Sequence, residues 1–289
     1  MKVVTWNVNK ANEKRGTWDY LHKQDPDIAL LQEVTDIPAK IQGYYDFEEE
    51  FTINKVDGSQ QAFKTAILVK KNGVRFIKKL QFSTNVNWID EELKRFDGHI
   101  FGHEVEVAGN KKINVVSVYS PYWSLDSLWK NVGGRPRHAE TIKLNGSKKL
   151  WVTDLLWQGL INTMRPNEPW IVGGDFNNSE TFDPSWQDEH PEEVKKWGSK
   201  NPLRTGGNKE IIDRMNNLGL KECLRESNNG VIVPTYTKTY KGRVCRLHQM
   251  DHLYVTNDLF KNLKDSAKVG DRVFERSLSD HLPIIADFR

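Results

Sequence analysis

Short apolar runs recur along the whole chain, and none is longer than a strand. They are Val3–Trp6, Ile28–Leu31, Thr65–Val69, Ile113–Tyr119, Trp170–Val172, His252–Val255 and Leu282–Ala286. Rich in Val, Ile, Leu and aromatics, each reads as a buried strand. Between them, Lys14–Lys23, Ser147–Thr163 and Lys209–Leu218 place apolar residues three and four apart, the period of a helix. Strands and helices mixed over 289 residues predict an α/β or α+β sandwich, two sheets covered by helices. No Pro/Gly/Ser-rich linker divides the chain, so one domain over residues 1–289 is expected.

Composition narrows the class further. No apolar run approaches the roughly 18 residues that a membrane helix needs. The N-terminal MKVVTWNVNK loses its apolar character too early for a signal peptide. Cys223 and Cys245 cannot build a disulfide framework and lack C-x-x-C spacing, so a reducing cytoplasm is expected. A net charge of +3 announces no particular partner. Two stretches read as solvated loops of opposite sign. Lys130–Lys149 carries Lys130, Arg135, Arg137, Lys143, Lys148 and Lys149, whereas Glu180–Glu193 is acidic throughout.

The polar residues of interest stand where apolar runs end. Val3–Trp6 ends at Asn7, and Ile28–Leu31 ends at Gln32-Glu33. Ile113–Tyr119 leads into Ser120-Pro121, and Trp170-Ile171-Val172-Gly173-Gly174 leads into Asp175-Phe176-Asn177. Asp251 opens one late run, and Ser279-Asp280-His281 precedes the last. Singly, each has an ordinary structural meaning: a solvated strand end, a turn, a hydrogen-bonded histidine. Jointly they place Asn, carboxylate, Tyr and His at six strand ends, where convergent sites are built.

In order, TWNVN, LLQEV, VYSPY, GGDFNN, MDHLYV and SDHLP resemble the endonuclease/exonuclease/phosphatase superfamily, nearest in style to the exonuclease III-like nucleases. The resemblance runs from Val3 to the end of the chain. It implies a four-layered α/β sandwich, with two central, mostly antiparallel β-sheets flanked by helices and a divalent-metal site at one edge.

Phosphoester hydrolysis needs a cation on the phosphate, an orienting group or base for water, and donors for developing charge. Glu33 is a hard oxygen ligand suited to Mg²⁺, with Mn²⁺ as a substitute. Asn7 can add an oxygen ligand or orient Glu33, and Asp280 can be a second ligand. Asp175 can take the proton of the attacking water. Asn177 can donate to a phosphate oxygen if the backbone there is extended. His281 is a phosphate donor whose orienting partner, by the resemblance, is Asp251. Tyr119 matches the exonuclease III-like branch, where other branches commonly show histidine.

The expected activity is a Mg²⁺-dependent nuclease acting on DNA, with a phosphatase or phosphodiesterase on a small or lipid phosphate as the alternative. Neither a membrane nor an obligate protein partner is expected. Arg135, Arg137, Lys148 and, in a second basic stretch with Lys238, Lys241 and Arg246, Arg243 are candidate phosphate contacts. Trp123 and Trp129 are candidate stacking residues. Three features differ from the exonuclease III-like pattern. Tyr122 follows Ser120-Pro121 where that branch has Asn, Asn9 stands where many members have an acid, and the acidic stretch follows GDFNNS directly.

Overall fold

The computed structural model describes residues 1–289 apart from 12–15, 54–58, 133, 166, 197–204, 241–242 and 272–276. Its strands, in chain order, are β1 (Lys2–Asn7), β2 (Ile28–Val34), β3 (Tyr45–Ile53), β4 (Gln60–Lys70), β5 (Arg75–Lys79), β6 (Ile100–Val107) and β7 (Lys111–Tyr119). They continue as β8 (Trp170–Asp175), β9 (Leu220–Glu222), β10 (Tyr236–Tyr240), β11 (Arg243–His248), β12 (Asp251–Thr256), β13 (Lys268–Val269) and β14 (Ile284–Asp287). Two six-stranded sheets result, ordered β13-β14-β1-β2-β4-β3 and β5-β6-β7-β8-β12-β9, while β10 and β11 pair by themselves. β1 with β2 and β7 with β8 are parallel, and the other pairs are antiparallel.

Alternation along the strands makes the layers. Val3, Ile28, Leu30, Ile67 and Val69 of the first sheet pack against Val105, Val115, Ile171, Leu253 and Val255 of the second, forming the core between the sheets. Their neighbours, one residue away, face outward. Val4, Trp6, Ala29 and Leu31 meet Trp18 and Leu21 of the helix Thr17–Gln24. Val116, Val118, Trp170 and Val172 meet Ile89 and Leu93 of helix Asn87–Lys94, and Leu155 and Leu156 of helix Val152–Thr163. The order is helices, sheet, sheet, helices, the expected four-layered sandwich.

The sheets approach closely near one rim. A Cβ on Gly173 would lie 2.9 Å from Leu30 Cδ1 and 3.1 Å from Thr5 Cβ across the interface. There too Gln32 Nε2 donates to Ser117 Oγ at 2.8 Å, joining the two sheets.

Several expectations need correction. The helix expected over Ser147–Thr163 starts only at Val152. Trp151 is extended, and its N–H donates to Asp154 Oδ2 at 2.7 Å, which closes the helix end. The helix read from Lys14 begins at Thr17, and residues 14–15 lie outside the described residues. Neither charged stretch is a simple solvated loop. Within Lys130–Lys149, Ala139, Ile142 and Leu144 are buried. Glu180–Glu193 holds a 3₁₀ turn (Glu180–Phe182) and the helix Pro184–Glu189, with Phe182 and Gln187 buried. Nor does β2 stop before Gln32-Glu33: it bulges there and runs on to Val34. No helix among the described residues is long and apolar enough to cross a membrane.

Candidate active site

The register of the sheets gathers the six strand ends at one rim. Asn7 pairs with Gln32 at the ends of β1 and β2. Tyr119 pairs with Asp175 at the ends of β7 and β8. Antiparallel β12 starts at the same level, with Asp251 opposite Asp175.

At the centre His281 Nδ1–H donates to Asp251, with oxygens at 2.9 and 3.1 Å, and Nε2 lies 3.9 Å from Asp175 Oδ2. All three side chains are buried. Burial alone would drive the proton off His281, but Asp251 and then Asp175 outweigh it and hold the imidazole pKa well above its usual range. Burial pushes the Asp175 carboxyl up. Asp251 adds to that effect, while His281 and donors from Asn7 and Asn177 oppose it. Asp175 Oδ2 accepts from Asn7 Nδ2 at 3.0 Å and Asn177 Nδ2 at 2.9 Å, and Oδ1 accepts the Asn177 N–H at 2.9 Å.

The extended backbone on which the Asn177 phosphate-donor role was conditional is absent. Its φ is +47°, a left-handed position that Asn tolerates better than most residues, and the turn folds its amide back onto Asp175.

Glu33 stands beside this array. It has a φ of +53° within a strand, where left-handed backbone is costly for a residue with a Cβ. Its carboxylate meets the Tyr119 hydroxyl, Asn7 Nδ2 at 3.4 Å and Lys10 Nζ at 3.6 Å. Burial, then the charges of Glu33 and Asp175, push the Tyr119 hydroxyl well above the usual phenol range, so Tyr119 is a neutral donor.

Asn7 was expected as an oxygen ligand or as an orienting group, and its geometry is that of the second. Its Oδ1 accepts the Asn9 N–H at 2.9 Å, which turns its NH₂ toward Asp175 and Glu33. Asp280 Oδ1 accepts from Asn9 Nδ2 at 2.8 Å, so Asn9 connects Asp280 to the Asn7 turn.

Two donor sets bear on a metal. Asp175, Asp251 and His281 offer ligand atoms within 4.8 Å of one another, an acidic and histidine cluster of a kind that can hold an ion. Both Asp251 oxygens already face His281 Nδ1, however, and an imidazole suits a hard cation poorly. Glu33, with its oxygens gathered toward polar partners, fits a hard divalent cation better.

Other positions fall away from the centre. Arg135 is engaged by Glu140 and by Asp126 at 3.3 Å, so its charge is met within its own segment. Arg137 and Lys148 are exposed. The side chains of Lys238, Arg243 and Arg246, and Lys241 altogether, lie outside the described residues. Trp129 is buried and donates to Glu92 Oε2 at 3.0 Å, so it cannot stack on a ligand. In the acidic stretch, Glu180 meets Arg225 at 2.5 Å, and Asp183 accepts the N–H groups of Asn208 and Lys209. Those two carboxylates are structural.

Several supporting residues had no signal as chemistry. Lys10 beside Glu33 is one. Trp6 Nε1 donates to the His281 carbonyl at 3.0 Å, Ser279 Oγ donates to the Asn7 carbonyl at 2.8 Å, and Thr235 Oγ1 accepts the Asp251 N–H at 3.0 Å. Trp6 and Ser279 lie inside the TWN and SDH motifs, which was the available clue.

Two layered sheets with this rim define a phosphoesterase fold. Residues 4–281 match the model of the Endonuclease/Exonuclease/phosphatase family, and the chain belongs to that family, whose members hydrolyse phosphoesters. No curated protein matches it at a significant level. Among solved structures it is similar to an AP endonuclease from Archaeoglobus fulgidus, with 18% identity, 100% of this chain and 99% of that chain covered, and a TM-score of 0.63. The catalytic domain of Xenopus laevis APE2 gives 16% identity, coverage of 100% and 91%, and a TM-score of 0.65. The mannosyl-6-phosphatase Bt3783 of Bacteroides thetaiotaomicron gives 12% identity, coverage of 100% and 99%, and a TM-score of 0.56. At these identities the likeness is one of fold.

Proposed function

We propose that this protein is a divalent-metal-dependent nuclease that hydrolyses phosphodiester bonds of DNA. The observation that carries the reading is the buried Asp251–His281–Asp175 array, with Asn7 and Asn177 donating to Asp175, at the rim that also holds Glu33 and Tyr119.

Each role follows from a protonation state. Asp251 orients His281 and supports its charge, so Nε2–H is available to a phosphate oxygen. Asp175, its carboxyl raised by burial, is a stronger base than an exposed carboxylate and takes the proton of the attacking water. Asn177 donates to Asp175 at rest and can turn its amide to the phosphate. Tyr119 stays protonated and donates. Glu33, with Asp280 as second carboxylate, would hold Mg²⁺ or Mn²⁺, which supplies charge neutralisation at the phosphate. The exposed Arg137 and Lys148 supply backbone contacts.

DNA is favoured over a small phosphate for two reasons. Tyr119 meets Glu33 at the position that marks the exonuclease III-like branch. Two proteins of similar fold are AP endonucleases, and one neighbour, a 3′ phosphatase from Neisseria, was solved with a product DNA hairpin.

The test is incubation with Mg²⁺, with Mn²⁺ or with EDTA, against plasmid DNA, an abasic oligonucleotide, RNA and a sugar phosphate. DNA is expected to be cut only with metal. Full activity in EDTA would refute the metal dependence. Phosphate release from the sugar phosphate without nucleic-acid cleavage would replace the nuclease with a phosphatase.

A further inference from the structure

Tyr122 stands where the exonuclease III-like pattern has an amide, and its surroundings indicate a different use for the position. We propose that Tyr122, backed by Trp151, is a stacking platform for the nucleobase beside the scissile phosphate. The inference rests on the nuclease reading above and adds to it the kind of substrate: a strand whose bases are free of a duplex stack.

The platform is rigid. The two rings stack with centroids 4.7 Å apart and planes at 27°. Trp151 is fixed on three sides: its Nε1 donates to Ser147 Oγ at 3.0 Å, its N–H donates to Asp154, and its backbone bridges Ser124. The Thr205 side chain lies beside the Tyr122 hydroxyl in the same notch. The ring is thus held from beneath by Trp151, yet the residue remains 39% exposed. An aromatic ring held in place and left wet loses little conformational entropy when a flat ligand covers it.

The platform also borders the chemistry. Pro121, Tyr122, Trp151, Asn177 and Thr205 line one notch. Asn177 in that notch is the residue whose amide donates to Asp175. Tyr122 follows Tyr119 by three residues, which is at most about 10 Å of chain. The notch is closed by backbone: a Cβ on Gly206 would meet the Gly146 carbonyl oxygen at 2.0 Å, so the loops around residues 146 and 206 are in contact. With space of about 20 Å³ the notch holds no more than a water, so a base would lie on the exposed ring of Tyr122 at its mouth, and none of the residues lining it is charged. Stacking on an aromatic ring accepts any base, so the contact selects unpaired strands without selecting sequence.

The test compares wild type, Tyr122→Phe and Tyr122→Leu on a single-stranded oligonucleotide in Mg²⁺. A parallel oligonucleotide carries a base-free tetrahydrofuran residue next to the scissile phosphate. Stacking predicts that Tyr122→Leu raises KM on the order of 10–100-fold with kcat little changed, while Tyr122→Phe stays near wild type. The salt dependence of binding should not change, because no charge is lost. Wild type should lose the same factor on the base-free oligonucleotide, and Tyr122→Leu should lose nothing more. That arm uses unaltered protein, so it decides the matter even if Tyr122→Leu folds poorly. Equal cleavage of both oligonucleotides by wild type would overturn the platform and leave the nuclease reading standing. A wild-type protein that cuts no oligonucleotide but releases phosphate from a sugar phosphate would overturn both.

Discussion

Replacing Asp251 with asparagine removes one charge from the centre of the site and almost no volume. Asp251 lies 2.9 Å from His281 Nδ1, whereas Asp175 lies 3.9 Å from Nε2. At an effective dielectric of about 20, these separations correspond to attractions of about 6 and about 4 kcal/mol. Asp251→Asn therefore forfeits the larger half of the support for the imidazolium. Relief from burying the carboxylate returns part of this, so a net loss of about 3–5 kcal/mol is expected.

The sign with pH follows from the raised pKa of His281. Its stabilisation is complete below the unfolded value near 6.5 and disappears as pH rises through the folded value. The gap between wild type and Asp251→Asn in urea unfolding should therefore be widest at neutral and mildly acidic pH and should close at strongly alkaline pH. Cleavage should fall roughly 10²–10⁴-fold, through loss of the donor at Nε2. If the two residues act as a unit, Asp251→Asn combined with His281→Ala costs little more than His281→Ala alone. Multiplicative losses, or a stability gap that widens at alkaline pH, would refute the pairing.

Three further outcomes are expected. Gly174→Ala should cost at least about 3 kcal/mol in urea unfolding, because φ is +155° and the new Cβ would fall 1.9 Å from the Val118 carbonyl oxygen; Gly219→Ala, with open space around it, should cost about 1 kcal/mol from backbone strain alone. Arg135→Ala should leave the salt slope of DNA binding unchanged, since Asp126 and Glu140 already engage that guanidinium, whereas Arg137→Ala and Lys148→Ala should each lower the slope by about 0.9 if they reach phosphates. His103 is buried, its pKa lowered to about 4 by burial and then by Lys79, so it takes up its proton more readily when unfolded; His103→Leu should make the protein less sensitive to acid, recovering about 2 kcal/mol of the stability that wild type loses between pH 7 and pH 5.

The layers and the rim were legible in the sequence because both rest on local patterns. Val3, Ile28, Ile67 and Ile171 alternate with outward neighbours over a few residues, and that period alone assigns faces. Motif residues at strand ends reach one rim because β1 with β2 and β7 with β8 run parallel, and β12 enters from the opposite direction at the same level. Charge was less legible, since it depends on partners. Arg135 reads as a free cation until Asp126 and Glu140 are seen beside it, and Glu180 reads as solvated until Arg225 is placed. Strand β3 was missed for a related reason. At the sheet edge it pairs only with β4, and its run of Asp46, Glu48, Glu49 and Glu50 carries no buried face strong enough to announce it.

Glu33 shows where local reading ends. A regular strand through Leu31, Gln32, Glu33 and Val34 would send Gln32 and Val34 to one face and Glu33 to the other. In the structure Leu31 pairs with Ala66 and Val34 with Lys64, so two residues of β2 stand against one of β4. The extra residue is accommodated by the left-handed φ of +53° at Glu33, and the bulge aims the carboxylate toward Tyr119, Asn7 and Lys10. Glycine would fill that backbone position without strain. A glutamate there spends backbone energy to place a carboxylate at the rim, within reach of the Tyr119 hydroxyl, of Asn7 at 3.4 Å and of the half-exposed Lys10. The cation-binding role proposed for Glu33 would draw on a carboxylate that the bulge, and not the regular pleat of the strand, turns to the rim.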